Sequence, residues 1–238
     1  MSTKQRLILA AACVAAMLSA CVPEPADVQG ASVERLYTIF FIVAAVVFAL
    51  VAGLITWSLV RYRAKPGDEL PEQFDRNLKL ELTWFAIPLA TVVVLFVLSA
   101  GVLGEVNAES PDPSVIVNVE GYQWGWRFTY EGSGVEVIGD ADDRPEIVLP
   151  VGRPLTFTLD SADVVHSFWV PRFLIKRDMV PGQQNSLSLT ISDAGVYRGV
   201  CTEFCGLLHS KMNFVLRAVP PAQFESWLEE QRTIDGDG

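Results

Sequence analysis

Residues 201–212 read Cys201-Thr202-Glu203-Phe204-Cys205-Gly206-Leu207-Leu208-His209-Ser210-Lys211-Met212. Two thiols, an imidazole and a thioether fall in this short stretch. Val196 to Val200 before it and Met212 to Val219 after it are apolar, β-branched runs that predict strands. The segment therefore reads as a donor-rich loop between two strands of an all-β domain. The chain holds two histidines. The second, His166, lies upstream in Asp163-Val164-Val165-His166-Ser167-Phe168, after a predicted strand and among apolar neighbours.

The donor types select a metal. Thiolate and thioether are soft, and imidazole suits copper in both oxidation states. One Cys, two His and a Met would make a mononuclear copper site. Here a second Cys follows the first by four residues, and two neighbouring thiolates can bridge two ions. A copper pair sharing one electron changes its bond lengths little on reduction, which favours fast electron transfer. A structural disulfide between Cys201 and Cys205 is the main competing reading for an exported domain. A zinc site of two Cys and two His is chemically possible, but it gives Met212 no role and favours closer Cys spacing.

Outward from this loop, the period-two pattern extends through the C-terminal half. Strands are predicted at Val115–Val119, Trp124–Tyr130, Glu146–Leu149, Pro154–Leu159 and Leu187–Ile191, with turn signals such as Glu131-Gly132-Ser133-Gly134 and Pro181-Gly182 between them. Several short strands at this spacing predict a β-sandwich or barrel. Pro221 to Gln231 predicts a closing helix with Phe224, Trp227 and Leu228 on one face.

Two long apolar runs precede this domain. Tyr37–Val60 would make roughly 36 Å of helix at 1.5 Å per residue, more than a hydrocarbon core of about 30 Å. Leu82–Gly104 is the second run, with Pro88 near its start, where a first turn tolerates proline. Arg61, Arg63, Lys65, Arg76 and Lys79 lie between the runs, whereas Glu105 to Trp126 holds no Lys or Arg. Positive charge stays cytoplasmic. The expected topology is a two-helix transmembrane hairpin with residues 61–81 inside, and segment 21–36 and domain 105–220 outside, closed by helix and tail 221–238.

The N-terminus reads as an export signal: Lys4 and Arg6, then the apolar stretch Leu7–Ala20, too short to span. Leu18-Ser19-Ala20-Cys21 resembles a bacterial lipobox. Residues 1–20 are then a signal peptide, Cys21 carries lipid, and Cys13 is discarded. The formal net charge is −10, and the excess acid lies wholly from Glu105 onward. Such a balance argues against nucleic acid and suits a basic protein partner.

The motif C-x-E-x-C-G-x-x-H-x-x-M, together with Leu80-Glu81-Leu82-Thr83-Trp84, Gln123-Trp124-Gly125-Trp126 and Val165-His166-Ser167-Phe168, resembles subunit II of cytochrome c oxidases. Val170-Pro171 and Asp178-Met179-Val180-Pro181-Gly182 look most like actinobacterial members. The resemblance implies a cupredoxin-like sandwich holding two copper ions in a binuclear copper A centre. It implies that Cys201 and Cys205 bridge the coppers and that His166 and His209 each give a ring nitrogen. Met212 completes one copper and the Glu203 carbonyl the other, while the Glu203 carboxylate helps bind magnesium at the interface with the catalytic subunit. Trp124 matches the residue through which the electron enters, and Asp178 is a candidate docking acid.

The implied partners are the haem-copper catalytic subunit I, other oxidase subunits, cytochrome c or a cytochrome c domain, and membrane lipid. Oxygen chemistry is expected in subunit I. Gly125 departs from many relatives, which carry an aromatic residue there. No C-x-x-C-H haem-attachment run occurs in the sequence, so the electron donor is expected to be separate. The alternative function is a membrane-anchored copper-binding or copper-delivery protein. A copper-free quinol oxidase subunit II is disfavoured by the complete ligand set, and nitrous oxide reductase by the lack of room for its propeller.

Overall fold

A computed structural model describes residues 24–63, 67 and 73–236, with Gln5. Apart from Gln5, the expected signal peptide, with its lipobox and Cys21, lies outside the described residues. Helix α1 covers Val28–Arg61 and α2 covers Leu78–Val106. Both outrun the predicted spans, because flanks containing Gln29, Ser32, Lys79 and Glu81 continue the helical backbone. Pro88 is therefore inside α2, not in its first turn. It withholds the N–H that would bond the carbonyl four residues back, a loss that apolar membrane helices accommodate. Asn77 opens α2 with a reciprocal cap: its Oδ1 accepts Leu80 N–H at 3.2 Å, and Glu81 Oε1 accepts Asn77 N–H at 3.1 Å.

Residues 35–102 form one compact unit, and residues 24–34 with 103–236 form the other. In the first, large apolar side chains such as Phe48, Leu59, Phe96 and Val97 are exposed. Helices that are apolar on every face and long enough to cross a bilayer belong in lipid.

The second unit is a sandwich. Ten strands occur among the described residues: β1 (Val115–Tyr122), β2 (Gly125–Tyr130), β3 (Glu136–Gly139), β4 (Glu146–Pro150), β5 (Pro154–Ser161), β6 (His166–Trp169), β7 (Lys176–Met179), β8 (Asn185–Thr190), β9 (Gly195–Cys201) and β10 (Asn213–Val219). One sheet runs β3-β2-β1-β5-β8 and the other β4-β10-β9-β6-β7. Pairs β1·β5 and β4·β10 are parallel; the other pairs are antiparallel. The predicted strands are present, with β2 and β10 beginning one residue later than expected and β8 displaced toward the N-terminus, to Asn185–Thr190. Three four-residue strands, β3, β6 and β7, went unpredicted. His166 does not merely follow a strand: it opens β6.

Aromatic side chains from both sheets fill the core. Phe214 lies 5.2 Å from Trp126, 5.3 Å from Phe128 and 5.0 Å from Phe168, centroid to centroid. Rings at such separations add specific attraction to their area burial. A Cβ at Gly199 would stand 2.0 Å from Phe214 Cζ, so this neighbour of Phe214 in the ladder must be glycine. The cluster anchors the strands that carry the site: Phe168 follows His166 by two positions on β6, and Phe214 follows Met212 into β10.

Helix α3 covers Pro221–Gly236, longer than predicted. It buries Phe224 and packs Trp227 and Leu228 against the core, as their spacing implied. The N-terminal segment is stitched to the same unit. Ala26 N–H donates to Arg172 O at 2.8 Å, and Ser192 N–H donates to Ala26 O at 2.9 Å.

Candidate metal centre

The donor loop leaves β9 at Cys201 and returns to β10 after Met212. Backbone bonds close it at its base, where Cys201 N–H donates to Met212 O at 3.0 Å. They also curl it inside, where His209 N–H reaches Gly206 O and Met212 N–H reaches His209 O, both at 3.2 Å. Gly206 has φ +120°, and a Cβ there would press on Gln123 Nε2 at 3.1 Å and on the Trp124 ring at 3.2 Å. The glycine of the motif is thus required on both conformational and steric grounds.

This fold turns the donors inward. Both cysteines are free and buried. Their Sγ atoms are 3.9 Å apart, nearly twice a disulfide bond length of about 2.05 Å. His166 Nδ1 lies 3.8 Å from Cys201 Sγ, and the Glu203 carbonyl 3.2 Å from it. His209 Nδ1 lies 3.5 Å from Cys205 Sγ, and Met212 Sδ 3.7 Å from it. Each sulfur therefore has an imidazole nitrogen and one further donor within 3.2–3.8 Å. The set is soft and uncrosslinked, with His166, Cys201, Cys205 and Met212 buried and Glu203 and His209 half-buried, and it fits a pair of copper ions by ligand type.

The electrostatics favour a cation. Burial opposes ionisation of Cys201, but contacts with His166 and the Ser167 backbone outweigh it and bring its pKa below the ordinary thiol value. Burial and the neighbouring Cys201 charge push Cys205 up to about 12. Two thiolates so close repel each other, so full ionisation needs positive charge between them. A metal-ligating site supplies it.

Asp163 was quoted from the sequence without a role. Its Oδ1 contacts His166 Nε2 at 2.9 Å, which leaves Nδ1 directed at the sulfurs. Burial raises the pKa of His166's carboxylate partner, yet bonds from His166, Val164 N–H and Gln123 N–H bring it below the ordinary value.

Trp124 belongs to the β1–β2 turn rather than to β2, where the sequence had placed it. It is partly buried, and its indole Nε1–H donates to Cys205 O at 3.1 Å. Gly125 is dictated by space: a Cβ would sit 2.6 Å from the Tyr122 hydroxyl and 2.5 Å from Gly139 O. The Tyr122 hydroxyl donates to Gly139 O at 3.0 Å and fills that position.

The Glu203 carboxylate is partly exposed and lies 3.4 Å from Lys176 Nζ. A magnesium ion there would have to displace the lysine. Asp178 is exposed on β7, where it pairs in register with Ser167, the neighbour of His166. Phe204 and Leu207, which the sequence reading passed over, are 81% and 86% exposed at the loop tip. Their signal was present, since large apolar residues in a polar-ligand loop have no core to enter.

These features define a class: a β-sandwich with a buried soft-donor metal site, joined to two helices of membrane-spanning length. Residues 136–219 match the family described as cytochrome C oxidase subunit II, periplasmic domain. A probable cytochrome c oxidase subunit 2 of Nocardia farcinica is 31% identical, over 88% of this chain and 73% of that protein. The cytochrome c oxidase subunit 2 of Mycobacterium bovis is 33% identical, over 82% of this chain and 69% of that protein. The crystal structure of the periplasmic domain of subunit II of cytochrome oxidase of Bradyrhizobium japonicum aligns with a TM-score of 0.48 at 29% identity, covering 52% of this chain and 98% of that one. The chain belongs to the cytochrome c oxidase subunit 2 family. It is accordingly a subunit of an oxidoreductase complex, built of two apolar helices and a β-sandwich.

Proposed function

We propose that this chain relays electrons from a cytochrome c to the haem-bearing catalytic subunit of its oxidase through a binuclear copper A centre. The observation that carries this reading is the convergence on the Cys201–Cys205 edge of His166, the Glu203 carbonyl, His209 and Met212, from β6 and from one loop. Two copper ions held there would share a single electron and exchange it with little reorganisation. The protein's part is to hold six donors in a buried frame, so that few of them move when charge arrives.

In this reading the electron enters at Trp124, whose N–H bond to Cys205 O leads straight to a bridging ligand. The exterior domain presents excess acid, Asp178 included, to a basic donor, and long-range attraction speeds the encounter at low salt. Glu203 directs its carboxylate toward the catalytic subunit, where it would exchange Lys176 for magnesium. Spans 37–60 and 82–104 cross the membrane with residues 61–81 inside and domain 105–220 outside, and Cys21 adds a lipid anchor. Reduction of oxygen takes place in the partner subunit.

Electron paramagnetic resonance of the copper-loaded full chain tests the relay. The expected spectrum is that of one electron spread equally over two copper nuclei, and Cys205→Ser should abolish it while the fold persists. A one-copper spectrum from the parent chain, or failure to retain copper, sinks the reading.

A further inference from the structure

Gln123 has no assigned role, yet it bonds both to the carboxylate behind His166 and to the Cys205 peptide. Its backbone N–H donates to Asp163 Oδ2 at 2.8 Å. The other oxygen of the same carboxylate holds His166 Nε2 at 2.9 Å. Its side-chain Nε2–H donates to Cys205 O at 2.6 Å, beside the Trp124 indole at 3.1 Å. The Cys205 carbonyl thus has both lone pairs engaged by adjacent residues of one turn. Three separate segments are joined here: the β1–β2 turn, the loop before β6, and the β9–β10 donor loop.

From this geometry we infer that Gln123 is a positioning residue of the metal centre: its side-chain amide fixes Cys205 beside Trp124, while its backbone N–H ties the same turn to the Asp163 carboxylate behind His166. The inference rests on the copper reading above. The physical effect is twofold. Two donors on one carbonyl restrict rotation of the Cys205–Gly206 peptide, and so set the direction of the Cys205 Sγ. They also draw electron density from that peptide, which favours the reduced, more electron-rich state of metal bound at the sulfur. Groups that orient ligands from behind in this way tune metal affinity and potential.

Gln123→Met keeps the length and bulk of the side chain and removes the donor. The test uses the full chain in detergent, loaded with copper. The expected result is a mixed-valence spectrum with altered hyperfine splitting and a lower reduction potential. The redox equilibrium constant should change about fivefold, ~40 mV for a one-electron couple. In the metal-free chain, hydrogen exchange of residues 201–212 should quicken by a similar factor. An unchanged potential and spectrum, with or without faster exchange, overturns the inference, since a purely structural contact would move exchange alone. A mixed-valence signal in the parent separates this failure from failure of the copper reading. Should Gln123→Met not fold, Gln123→Glu, which replaces the donor by an acceptor, must lower the potential in the same direction or the inference falls.

Discussion

Trp124 and Cys205 are 81 positions apart in the chain, yet the indole N–H of the first donates to the backbone carbonyl of the second at 3.1 Å. An aromatic ring at the domain surface is thereby coupled, through one hydrogen bond and one peptide, to a sulfur of the donor edge. Gln123, in the same turn, reaches the same carbonyl at 2.6 Å, but only the tryptophan brings an aromatic ring to it.

Trp124→Phe keeps a ring and loses the N–H. Removing one hydrogen bond costs about 1 kcal/mol of local stability, too little to unfold the loop. Copper content should therefore match the parent, and the spectrum should shift no more than on loss of the Gln123 donor to the same carbonyl. Reduction of the centre by reduced cytochrome c, followed by stopped-flow absorbance, should slow by about tenfold, equivalent to ~1.4 kcal/mol in the barrier. An unchanged rate would remove Trp124 as the point of electron uptake.

Asp163→Asn addresses the orientation of His166. The carboxylate accepts from the ring and fixes which nitrogen faces the sulfurs. Loss of such a partner typically weakens metal affinity by about 10–100-fold. Competition with a calibrated chelator measures it, and circular dichroism should show the sandwich retained. Parent-like affinity would mean that the strand alone orients the histidine.

Asp27 makes stability depend on pH. It caps α1 through Oδ2, which accepts Gly30 N–H at 2.8 Å, while Oδ1 is buried without a partner. Burial raises its pKa from 3.8 to about 7, against the opposing bonds from Gly30 and Gln29. Between these values the folded chain keeps a proton that the unfolded chain has released, so stability must fall as pH rises. The whole effect is on the order of 4 kcal/mol, complete above about pH 7. Denaturant unfolding of the parent and of Asp27→Asn at pH 5 and pH 8 tests this. The variant should lose most of the slope; an equal slope in both proteins would assign it to other groups.

Much of the fold was legible because its signals are local. The two apolar runs, the long alternating strands and the amphipathic face of Phe224, Trp227 and Leu228 each declare themselves within a few residues. Strands β3, β6 and β7 were not legible. At four residues each they carry too little alternation to distinguish from loop, and it is pairing with β2 and β9 that makes them strands. Pro88 was misplaced for a related reason: polar residues before Leu82 carried no sign that the helix had already begun.

The sequence by itself determined which chemistry is available, since thiols, imidazole and thioether at the spacing of residues 201–212 can be read without coordinates. It also determined two helices of spanning length and a domain of strands, because hydrophobic period is written along the chain. Tertiary structure alone decided that His166 turns Nδ1 toward Cys201, that Asp163 stands behind it, and that Gln123 and Trp124 converge on Cys205. Apart from the local Asp163–His166 bond, those contacts join segments tens of residues apart. Their geometry exists only once the aromatic core has drawn the two sheets together and fixed the distances between them.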